Sequence, residues 1–152
     1  MSDLLQNNNL LKQAKRFIPD LTVTIQKCAL HRSKYGLAQI YSFSIITKNG
    51  KYSAMFTDSI HNYKNNITIN LDDILYSWIV DVDCFRYSED FDDFCLQFGY
   101  NFKNYDIYDN KYILGKRQAE KAWKGCKYAY RKMFELLTDE QVDKLHDLFQ
   151  DY

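Results

Sequence analysis

Six carboxylates, Asp81, Asp83, Glu89, Asp90, Asp92 and Asp93, fall within thirteen consecutive residues of a 152-residue chain. Acids at this density suit a cation site, proton transfer, or a surface that stands in for the phosphates of nucleic acid. A calcium loop starting at Asp81 needs an oxygen ligand at its fifth position and Gly at its sixth, where the chain has Phe85 and Arg86, so calcium is excluded. A nuclease-type metal site needs carboxylates from separate elements plus a Lys, and the fragment Asp109-Asn-Lys111 is too short to carry that reading. What remains is an acidic surface for a partner with a basic groove. The polar aromatic stretch that follows, with Tyr100, Tyr105 and Tyr108, extends the candidate contact, because Tyr buries aromatic area at interfaces at low entropic cost.

The opposite charge comes next along the chain. Residues 111–132 carry eight basic side chains against Glu120 alone. On a helix, Arg117, Lys121, Lys124, Lys127 and Arg131 lie along one side and can track a phosphate backbone, an alternative nucleic-acid-binding surface to be weighed against an ordinary solvated helix face. Histidine and cysteine offer less. Cys28-x-x-His31 has ligand-like spacing but no second pair to complete a tetrahedral set, and His31, His61 and His146 fall in three different elements. No phosphate-cradling glycine loop and no nucleophile elbow is present. The chain is therefore expected to act without metal, cofactor or catalysis.

Twenty basic and twenty acidic groups cancel over the whole chain, which leaves no global field to draw it onto nucleic acid or an anionic membrane. The cancellation hides a pattern. Residues 1–70 hold nine basic and three acidic groups, residues 71–110 two and ten, and residues 111–152 nine and seven, for net charges of +6, −8 and +2. With 46% hydrophobic residues and one Pro, a single globular domain over residues 1–152 is expected, and disorder is excluded. No apolar run approaches the ~20 residues of a membrane span, and Met1 to Asn9 lacks the basic-then-apolar order of a secretion signal, so a cytoplasmic location is expected. Cys28, Cys84, Cys95 and Cys126 form no C-x-x-C pair and read as reduced, small, buried hydrophobes.

These groups must be held by elements that the hydrophobic periodicity reveals. Leu4, Leu11, Ala14 and Ile18 recur at helical spacing behind Ser2, predicting a helix over residues 2–18 that Pro19 ends. The period then drops to two, with strands beginning at Leu21 and Gln39. Asn49-Gly50 predicts a hairpin returning through Lys51 to Thr57, with Tyr41, Phe43, Ile45, Tyr52, Ala54 and Phe56 inward. A short fourth strand around Ile67 and Ile69 would complete an antiparallel sheet within residues 21–70. Residues 71–152 read as helical: one helix capped by Asn70, a short one over Glu89 to Phe98 capped by Ser88 and closed by Gly99, and a long one over Tyr112 to Leu137. A last helix opens with the capping box Thr138-Asp-Glu-Gln141. Gly125 in the long helix marks a close approach to the sheet. The fold class is α+β, a three- to four-stranded antiparallel sheet followed by a helical half packed on it.

Tyr41-Ser-Phe-Ser, Lys51-Tyr-Ser-Ala-Met-Phe-Thr-Asp-Ser, Phe91-Asp-Asp-Phe-Cys-Leu-Gln-Phe-Gly-Tyr100 and the Ala119 to Leu137 helix before Thr-Asp-Glu-Gln resemble a group of small proteins from bacteriophages and mobile elements of low-GC bacteria. The likeness covers residues 35–145. The group carries no established activity, so no functional residue transfers. It implies a setting, the accessory genes where anti-defence proteins such as anti-CRISPR proteins are common. The expected function is thus inhibition of a host defence nuclease, a CRISPR effector first of all, by a protein that occupies its surface.

Overall fold

The computed structural model describes residues 9–33, 36–59, 70–97 and 111–152. Their elements run α1 (Asn9–Phe17), β1 (Thr22–Ser33), β2 (Gly36–Thr47), β3 (Gly50–Ser59), α2 (Leu71–Arg86), α3 (Phe91–Gln97), α4 (Lys111–Leu136) and α5 (Asp139–Leu148). The α+β class is the observed one. The segment before Asn9, the stretch around Ile67 and Ile69, and Gly99 lie outside the described residues. Two compact units form, residues 1–77 with 133–152 and residues 78–132.

In the first unit the strands make an antiparallel sheet in the order β1-β2-β3. Strand alternation puts Tyr41, Phe43, Ile45 and Tyr52 on a buried face and leaves Thr24, Gln26, Ser53 and Met55 exposed on the other. The register pairs Tyr41 with Phe56 and Ile45 with Tyr52, and the Tyr41 and Phe56 rings stack with centroids 5.3 Å apart. Between β1 and β2 the register slips. Lys27 faces Tyr41 and Leu30 faces Gln39, so Cys28 and Ala29 together oppose Ile40 in a bulge. Gln39 is buried there, and its Nε2 donates to the carbonyls of Cys28 and Ala29, each at 3.2 Å, and of Ile40 at 2.9 Å.

The hairpin turn sits one residue earlier than expected. Thr47 pairs with Gly50, so Lys48-Asn49 form the loop and Gly50 opens β3 with φ 141°. That glycine meets two demands: its φ is one side chains avoid, and a Cβ there would stand 3.2 Å from Leu136 Cδ2. The turn also closes the end of α4, since Thr47 Oγ1 and Asn49 Nδ2 both donate to the Leu136 carbonyl, at 3.0 and 3.2 Å.

The same device fixes α1 at both ends. Asp72, in the first turn of α2, is buried, and its carboxylate accepts the N–H groups of Leu10 at 3.1 Å and Leu11 at 2.9 Å. At the other end Gln141 Nε2 donates to the Phe17 carbonyl at 3.1 Å, while its Oε1 and N–H complete the capping box with Thr138. Asn70 caps α2 as expected, its Oδ1 accepting the Asp72 N–H at 2.9 Å.

The second unit is helical. Phe94, Cys95, Ala119 and Cys126 form its core, with Cys84, Phe85, Phe91, Ala122 and Trp123 packed against it. Trp123 is the hub, its ring 4.9 Å from Phe85 and 5.0 Å from Phe94, and Trp78 Nε1 donates to the Ala129 carbonyl at 3.1 Å. Gly125 marks no close approach: it is exposed, and a Cβ there would meet nothing within 4 Å. Among the described residues no helix is long and apolar enough to cross a membrane.

Candidate binding surfaces

The acidic segment divides by environment. Asp81 and Asp83, on α2, are half-buried, and burial raises the Asp81 carboxyl to about 6. Beside them Cys84 and Cys126 share a side-chain hydrogen bond, and burial followed by the nearby Asp81 charge pushes these thiols up to about 11 and about 12. Both stay protonated at neutral pH and lack the thiolate that nucleophilic chemistry needs. The expectation of four buried cysteines holds for Cys95 and Cys126. Cys84 is half-buried and Cys28 is exposed, because the bulge lies where β1 runs outside the core.

After α2 the chain turns through Tyr87 to Asp90 into α3, and here the capping differs from expectation. Ser88 faces backward, its Oγ donating to the Cys84 carbonyl at 2.6 Å, so it closes α2. Asp90 caps α3 instead, its Oδ1 accepting the Asp93 N–H at 2.8 Å, and the helix begins at Phe91 rather than Glu89. Asp93 accepts the Glu89 N–H at 3.0 Å and Gln97 Nε2 at 2.9 Å through Oδ2. Asp90 and Asp93 thus hold the turn in shape, while the side chains of Glu89 and Asp92, exposed like Asp90, take no part in these bonds. Two exposed apolar side chains flank these acids, Tyr87 at 64% and Leu96 at 83%, with the Arg86 guanidinium 5.5 Å from the Tyr87 ring centroid. Sequence reasoning did not single out either. Leu96 had a readable signal, since it falls off the stripe of Phe91, Phe94 and Cys95; Tyr87 had none. Tyr100, Tyr105 and Tyr108 lie outside the described residues.

The basic residues share one element. Arg117, Lys121, Lys124, Lys127 and Arg131 are all exposed on α4, as is Lys116, and Lys132 is half-exposed. Arg131 and Lys132 reach over the Tyr128 ring, at 5.3 and 5.8 Å from its centroid. Ala119, Cys126, Ala129 and Met133 are buried on the opposite side. Among the described residues no three of His, Cys, Asp and Glu come together in a group able to hold a metal ion. Comparisons with known families, curated proteins and solved structures return no match.

Proposed function

We propose that the protein is a non-enzymatic binding protein that disables its partner by covering a basic surface. The observation that carries this reading is the pairing of two strongly exposed apolar side chains, Tyr87 and Leu96, with the exposed carboxylates of Glu89, Asp90 and Asp92 in one short stretch of chain. Isolated surface acids need no explanation. Apolar anchors interleaved with like charges have the composition of a contact whose centre is desolvated and whose rim steers the encounter. A groove made for nucleic acid answers this surface, because its cations accept carboxylates in place of phosphates. The phage-type resemblance makes a host defence nuclease, and a CRISPR effector first, the partner to test.

The test follows from the roles of the acids. Asp90 and Asp93 brace the turn, so their replacement would confound folding with binding. Glu89→Lys combined with Leu96→Ser changes side chains that the turn does not use. It is expected to weaken partner capture and nuclease inhibition by more than roughly tenfold while circular dichroism and melting stay unchanged. Unchanged inhibition by that folded variant would defeat the reading.

A further inference from the structure

The outer face of α4 takes no part in the surface just described. Counting from Lys116 at about 100° per residue, Lys127 lies near 20°, Arg131 near 60°, Lys124 near 80°, Arg117 near 100°, Lys121 near 140° and Lys132 near 160°. Seven cations therefore fill one half of the helix, with Glu120 the single acid among them. The pattern has three rows: Arg117, Lys124 and Arg131 repeat every seven residues along the middle, Lys116 and Lys127 line one flank, and Lys121 and Lys132 the other. From Lys116 to Lys132 the rows extend about 24 Å along the axis. Lys116, Arg117, Lys121, Lys124 and Lys127 make no ion pair among the described residues.

An exposed cationic helix is common, but this one is charged on both flanks as well as along its crest. A single strand presents one line of phosphates and needs one row. The B-form major groove is about 12 Å wide, admits an α-helix, and has a phosphate strand on each side. The deep, narrow major groove of A-form RNA does not admit one. We propose that α4 is a DNA-binding helix that lies in the major groove of double-stranded DNA, the two lysine flanks contacting the two backbones and the Arg117, Lys124 and Arg131 row facing the base edges.

Fluorescence anisotropy on one sequence as duplex DNA, single-stranded DNA and duplex RNA tests this. The full chain should bind duplex DNA several-fold more tightly than either other form at low salt. Its affinity should fall with salt at a slope of about −0.9 per phosphate contact. Lys121→Ala with Lys127→Ala, one from each flank, should flatten that slope by about 2 and weaken binding roughly tenfold near physiological salt, while Lys144→Ala on α5 changes nothing. Alanine is the better helix former at these exposed sites, and the corresponding Gln pair, which keeps the side-chain length, should behave alike. Absence of duplex binding at low salt overturns the proposal. So does equal or tighter binding of single strands or duplex RNA, and so does a folded flank variant that retains both affinity and slope.

Discussion

Asp81 shows what a single half-buried charge does to this fold. Its carboxyl titrates near 3.8 in an unfolded chain and near 6 in the folded one, because burial disfavours the anion. Between those values the folded state binds the extra proton, so stability falls as pH rises through the window, by at most about 3 kcal/mol once Asp81 is ionised. Asp81→Asn keeps the shape and removes the charge. The variant should melt higher than the parent at pH 7.5, and the two curves should converge below about pH 4; a constant difference at all pH values would show that the carboxylate is not the cause. Asp72 is the opposite case, a buried acid held by two N–H groups from α1. No local pattern announces it, since its partners lie more than sixty positions away. The run of acids was legible, but its division into structural, buried and exposed members was not, because that division depends on which backbone groups tertiary packing brings near.

Among the elements, local chemistry gave reliable readings wherever the deciding partner was close in sequence. Alternation placed Tyr41, Phe43, Ile45 and Tyr52 on the buried face, and Thr138 with Gln141 forms the capping box that their spacing promised. Two readings shifted where neighbours compete. Ser88 and Asp90 both suit the start of α3, and Ser88 goes to the end of α2 instead. Asn49-Gly50 marks the hairpin, yet the loop moves back one residue because Thr47 and Asn49 also close α4. The glycines divide for the same reason. Gly125 sits in an exposed helix interior with open space around it, so Gly125→Ala should stabilise the protein by about 1 kcal/mol. At Gly50, with φ 141° and Leu136 already close, Gly50→Ala should destabilise it by more than about 1 kcal/mol. Chemical denaturation of the two variants should move the midpoint in opposite directions; movement in the same direction would contradict these environments.

For the molecule as a whole, zero net charge conceals segments of opposite sign, which counting by segment separates. The count could not supply Tyr87 and Leu96, because exposure is a property of the packed chain. One further feature bears on how many copies behave together. Among the described residues β1 is a twelve-residue strand at the margin of the sheet, long enough to template another chain. The bulge at Cys28 and Ala29 breaks that template midway, and the Gln39 amide, anchored on both bulge carbonyls, keeps the break in place. Gln39→Leu removes the anchor and leaves both bulge carbonyls without their side-chain donor. In a quiescent incubation at elevated temperature that variant should seed thioflavin-positive fibrils well before the parent does, and equal lag times would remove the idea. One glutamine would then serve as a brake on fibril growth, and the shelf life of a concentrated sample would depend on it more than on melting temperature.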